Sequence, residues 1–163
     1  MTTSQINFQI PFEVGNGPAT VDLLANGVGV CTSSIQVQSV APGLFTQSNG
    51  TAAVLNQDSS VNSVGNPAAS GSVIAAYLTG LGSVHPSVAT GVPAPLGLLA
   101  TTTNTVTATI GGVAATVEFA GLAPGYAGLY QVNILVPQLP GGRHPLMISV
   151  NGAGSNTADV NTQ

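Results

Sequence analysis

The chain has no Lys, no Trp and one basic residue, Arg143, and only 4% of its 163 residues are charged, against roughly a quarter in an average domain. With so little cationic surface it has almost nothing with which to release counterions from nucleic acid or to dock on an anionic membrane, so neither is expected as a partner. Without Lys, the isopeptide cross-links common in surface β-sandwiches are excluded as well. The single Cys31 rules out an internal disulfide, and a buried, inert thiol is the expectation. No apolar run reaches the length of a membrane span, and no stretch keeps an apolar period of 3.6, which argues against long helices. Met1-Thr-Thr-Ser-Gln5 has neither a basic region nor an apolar core, so any export signal is expected outside these residues.

What the chain does have is 44% hydrophobic residues, too many for a disordered linker, cut into short runs by 21 Gly and 11 Pro. Ile6 to Ile10, Thr20 to Leu24, Ser34 to Val40, Val73 to Thr79, Ala114 to Phe119 and Leu129 to Val136 are among about ten such runs. The spacing predicts an all-β fold, an immunoglobulin-like or Greek-key β-sandwich of about ten short strands. Ser70 to Leu81 is the one place where a helix fits by length, but Gly71, Gly80 and β-branched Val73, Ile74 and Thr79 favour a central strand. Pro86, Pro93 and Pro95 with three glycines make Gly82 to Ala100 a long ordered loop, the kind of segment that carries function.

An internal repeat organises the chain. Gln5-Ile-Asn-Phe-Gln-Ile-Pro11 reappears as Gln131-Val-Asn-Ile-Leu-Val-Pro137, and Asn26-Gly27 has its counterpart in Asn151-Gly152. Each copy, over 5–37 and 131–162, reads as strand, Pro stop, strand, Asn-Gly turn, strand. Alternation places Ile6, Phe8 and Ile10 on one face and Gln5, Asn7 and Gln9 on the other, while Val132, Ile134 and Val136 oppose Gln131 and Asn133. The expected division is a partial repeat unit over 1–38 and a sandwich over 39–163. The apolar face of the first copy needs a cover, and three are open: the second half of the chain, an upstream domain, or a neighbouring copy completed by strand addition.

Ala41-Pro-Gly-Leu-Phe45, Asn56-Gln-Asp-Ser-Ser-Val-Asn62, Asn66-Pro-Ala68, Tyr77-Leu-Thr-Gly-Leu-Gly82, Phe119-Ala-Gly-Leu-Ala-Pro-Gly125 and Gly128-Leu-Tyr-Gln-Val-Asn133 occur in that order. Together they resemble the Solibacter-type C-terminal domain of secreted acidobacterial proteins, over nearly the whole chain. The resemblance implies an exported immunoglobulin-like module beside other domains of a larger protein, and it carries no assigned chemistry. Ser59 stands where that family often has Gly.

Candidate sites are few. Asn56, Asp58, Ser60 and Asn62 present oxygens at alternating positions as a calcium loop does, although Asp58 is the only carboxylate there, and an Asx-type turn competes with metal. His85 and His144 have no zinc spacing, no Gly-x-Ser-x-Gly elbow exists, and Cys31 has no basic neighbour to activate it. No catalytic residue and no cofactor is therefore assigned, and the chain is read as a non-enzyme. Asn49-Gly-Thr51 is a formal glycosylation sequon that a turn explains equally well. Tyr126, in a Pro-Gly loop, is the tyrosine expected to be exposed, and Tyr130 is expected to be a strand-face or corner tyrosine satisfied by a backbone hydrogen bond.

The surface must be covered by Thr, Ser, Asn and Gln, a composition that suits an extracellular or cell-surface location. The function expected is that of a structural or adhesive module acting through its surface, possible partners being other copies, adjacent domains of an exported protein, or an extracellular glycan. Gln5, Asn7, Tyr126, Gln131 and Asn133 are the residues expected to carry binding or assembly into a filament. The alternative is a carbohydrate-binding module.

Overall fold

The computed structural model describes residues 6–163, and among them every regular element is a β-strand. In chain order these are β1 (Gly17–Ala25), β2 (Val28–Val37), β3 (Gly43–Leu44), β4 (Val54–Leu55), β5 (Val73–Thr79), β6 (Val84–His85) and β7 (Thr101–Thr102). They continue as β8 (Val106–Ile110), β9 (Val113–Ala115), β10 (Val117–Leu122), β11 (Tyr130–Leu135), β12 (Gly142–Val150), β13 (Ala153–Gly154) and β14 (Ala158–Thr162). A seven-stranded sheet runs β3-β5-β11-β10-β7-β6 with β4 also on β5, a five-stranded sheet runs β13-β12-β8-β9 with β14 also on β12, and β1-β2 is a separate hairpin.

Period-two alternation builds the core. Ile74, Ala76 and Leu78 of β5 and Val132 and Ile134 of β11 point one way, Ile110 of β8, Leu146, Ile148 and Val150 of β12 and Val160 of β14 point back at them, and all are sealed from solvent. The result is a β-sandwich. Val73–Thr79 is the central strand that its β-branched residues predict, paired with β11 on one side and with β3 and β4 on the other.

Fourteen strands replace the expected ten for two reasons. β3, β6, β7 and β13 are only two residues long, too short to leave a periodic signal, and they outnumber the one expected strand, over residues 6–10, that does not form. The run Ala114 to Phe119 is divided at Thr116, so that β9 joins β8 in one sheet and β10 joins β11 in the other. The long loop 82–100 is ordered as expected and contributes β6 to the larger sheet.

The repeat survives as turns more than as strands. Asn26 and Gly27 have φ of 53° and 79°, Asn151 and Gly152 49° and 87°, so both copies close a hairpin through the same pair of left-handed residues. The Gln-x-Asn strand differs between them. Residues 131–135 lie in β11, whereas residues 6–10 form no strand, because their backbone has no strand neighbour among the described residues. Cys31, expected to be buried, is exposed on the hairpin, where it faces Leu23 in register.

Candidate functional site

Residues 6–14 alternate Ile6, Phe8, Ile10, Phe12 and Val14 with smaller or polar residues, and all five apolar side chains are more than a third exposed, Ile6 by 63% and Phe8 by 64%. A few polar contacts hold this segment to the body. The Gly91 amide donates to Gln9 Oε1 at 2.9 Å, the Phe12 amide donates to Thr90 Oγ1 at 2.9 Å, and that hydroxyl donates to Glu13 at 2.8 Å. The Gln9 side chain also lies over Gly128, where any Cβ would come within 2.8 Å of it.

The segment thereby joins a second apolar group. Val92, Leu96, Leu98 and Leu99 of the Gly-Pro loop are exposed, Leu96 sits against Gly125, and the Ala94 amide bonds the carbonyl of Tyr126, itself 60% exposed. On the β1-β2 hairpin Leu24, Val28 and Val30 are exposed as well, and Thr32 of β2 donates to Asp22 of β1 at 2.7 Å. The exposed apolar side chains of the segment and of the adjoining loop are the candidate interaction surface. Apolar residues without a period between Pro93 and Ala100 were the available sequence signal for the loop's share of it.

The expected binding residues are placed as follows. Gln5 lies outside the described residues. Asn7 is on the exposed segment just described. Gln131 and Asn133 bond each other at 2.8 Å on the outer face of β11, a strand already paired along both edges by β5 and β10. Gln131 is level with Tyr77 of β5, whose hydroxyl is pushed up in pKa by burial and by the nearby Tyr126. Tyr77, Tyr126 and Gln131 thus share one neighbourhood. Tyr130 is a buried strand-face tyrosine: its hydroxyl donates to the carbonyl of Gly82, 48 residues upstream, and burial raises its pKa to about 12.

In the loop proposed for calcium, the oxygens are engaged with one another. Ser60 donates its amide and hydroxyl to Asp58 Oδ1, which holds that carboxyl below its ordinary pKa, and Asn66 Nδ2 donates to Ser60 Oγ at 2.7 Å. Asn62 Nδ2 donates to Asn56 Oδ1 at 2.9 Å, and Ser59 takes the left-handed φ of 66° that glycine adopts most easily. Asn62 then reaches across the fold to Asn161, a contact that no local pattern announced. Asn49, of the sequon, accepts from the amide and hydroxyl of Thr51, so it closes an Asx turn.

His85 is exposed at β6, and His144 bonds the Pro140 carbonyl at 2.8 Å beside Gly111. Among the described residues no three His, Cys, Asp or Glu side chains gather as a metal centre would require. Arg143 pairs with Asp159 at 2.6 Å and donates to the Asn49 carbonyl at 3.1 Å. A groove of about 260 Å³ beside β10 contains Glu118 as its only titratable side chain, and one of about 530 Å³ at the base of the hairpin contains none. Searches among protein families, curated proteins and solved structures found no match to this chain.

Proposed function

We propose that the chain is a non-enzymatic, extracellular structural module that assembles with other copies of itself through its apolar end. One observation carries this reading: Ile6, Phe8 and Ile10 repeat the pattern of Val132, Ile134 and Val136, yet the second set is buried and the first stands in solvent. The same chemistry in the same alternation needs the same cover. Five acidic residues against one basic residue spread over the surface also leave little electrostatic repulsion between copies packed closely. The neutral polar surface, and the resemblance to an exported module, support the extracellular placing and an adhesive role beside neighbouring domains.

Light scattering and negative-stain microscopy test it. The full chain is expected to form large polymers, and Phe8→Asp, a change at an exposed position that leaves the core intact, is expected to leave monomers. A full chain that stays monomeric, or polymers indifferent to Phe8→Asp, overturns the reading.

A second reading, carbohydrate binding, is favoured by the neighbourhood of Tyr126, Tyr77 and Gln131, since sugars stack on exposed rings beside amide side chains. It predicts retention on an insoluble glycan that Tyr126→Ala abolishes. Equal retention of the two chains, or none across a glycan panel, removes it.

A further inference from the structure

We infer that residues 6–12 of one copy insert as a strand along the open edge of β10 in the next copy. The inference rests on the self-assembly reading and gives it a specific acceptor. β10 is bonded to β11 over its whole length, but along its other edge it meets β7 only at Gly121, opposite Thr101. Among the described residues Val117–Ala120 therefore have no strand neighbour on that side. A groove of about 260 Å³ runs there, lined by Thr102, Asn104, Val106, Val117, Phe119 and Ala120. Across it, β8 is covered by β9 only from Ala108 to Ile110, which leaves Val106 uncovered by that strand. Val106, Val117 and Ala120 touch the core and are still half-buried, so the sandwich is unfinished at this point.

The repeat, the exposed area and the charge point to a second copy as the occupant. β10 already carries the second copy of the motif along its closed edge, where Val132 is level with Ala120 and Asn133 with Phe119. Residues 6–12 offer the first copy of that motif, with Ile6, Phe8 and Ile10 on one face for the core and Asn7 and Gln9 on the other for solvent. Pro11 falls near the end of the added strand, where its missing N–H is tolerated.

A stable interface takes about 800 Å² from each partner. Ile6, Phe8, Ile10, Phe12 and Val14 are all exposed, and five such side chains at ~100 Å² apiece bring more than half of that area before the backbone of the added strand is counted. No charge lies in residues 6–12 and only Glu118 lies in the groove, so no like charges meet. The few hydrogen bonds that hold the segment in its own chain are exposed and cheap to release.

Paired cysteines in the full chain test the inference. In a Cys31→Ser background, exposed Asn7→Cys or half-buried Gln9→Cys is combined with exposed Glu118→Cys, and the chains are oxidised with copper phenanthroline. One of the two pairings is expected to give a covalent ladder with most of the chain in species larger than dimers, while each single-cysteine chain stops at the dimer. Polymers seen by light scattering with no ladder from either pairing, or a bridge closed within one monomer, overturn the assignment of the groove and leave self-assembly standing. Monomers throughout overturn both.

Discussion

Replacing Asn62 by Ala is expected to lower stability by about 3 kcal/mol, or roughly 6–12 °C in Tm for a domain of this size. The side chain is 2% exposed and makes a two-way clamp on β14: its Nδ2 donates to the Asn161 carbonyl at 2.9 Å and its Oδ1 accepts the Asn161 amide at 2.8 Å. Truncation strands both backbone groups where water cannot replace the partner, and each buried unsatisfied group costs about 1–3 kcal/mol. Asn62 also accepts from Asn161 Nδ2 at 3.3 Å and holds Asn56, so the 56–66 loop loosens with it. Asn62→Asp separates the two halves of the clamp. A buried carboxylate still accepts but cannot donate, and burial raises its pKa, so the deficit should be largest at neutral pH and shrink as the acid protonates on lowering the pH. Thermal melts at pH 7 and pH 4.5 check this, and an Asn62→Ala chain within 1 kcal/mol of the parent contradicts it.

Gly80→Ala should be at least as damaging, by about 4 kcal/mol or more. Gly80 has a φ of 78°, and a Cβ built on it would stand 1.8 Å from the Ala41 carbonyl oxygen and 2.4 Å from its carbon. Both are backbone atoms, so no rotamer relieves the overlap. The chain before β3 must move off the end of β5, and the hydrogen bond from the Ala41 amide to the Gly80 carbonyl at 2.9 Å goes with it. Gly71 is the matched control: its φ of 79° is the same, but nothing lies within 4 Å of its would-be Cβ. Gly71→Ala should therefore show only the left-handed conformational cost of about 1–2 kcal/mol. Urea titration of the two variants measures the difference, and equal losses contradict a close-approach role for Gly80.

Alternation and turn chemistry made much of the architecture legible. Val73–Thr79 reads as a buried strand because a short apolar run with β-branched Val73, Ile74 and Thr79 lies between Gly71 and Gly80, and the two Asn-Gly pairs announce hairpins because few other dipeptides accept positive φ twice in succession. Thr116 was not legible as a crossing point, since the alternation continues through it while the hydrogen-bond partners change sheets. Residues 6–10 have a strand's pattern without a strand's neighbour, and pattern alone does not say where a neighbour comes from. The oxygens of Asn56, Asp58, Ser60 and Asn62 alternate as a metal loop's do, but the same groups satisfy a turn and a clamp whose other half lies 99 residues away. Cys31 illustrates the remaining limit: a thiol on an apolar strand face is buried only if something packs on that face.

The last strand has a mechanical property. β14 is bonded to β12 from Ala158 to Thr162, and on its other side it meets Thr51 at Asp159 and Ala68 at Thr162 in parallel bridges. The Ala52 and Ala68 amides donate to Asp159 and Asn161, and Asn62 locks the same strand. Tension applied at residue 162 along the strand axis loads these bonds together, in shear, instead of peeling them one after another as a free edge would allow. A filament of such subunits would resist pulling most strongly along that direction.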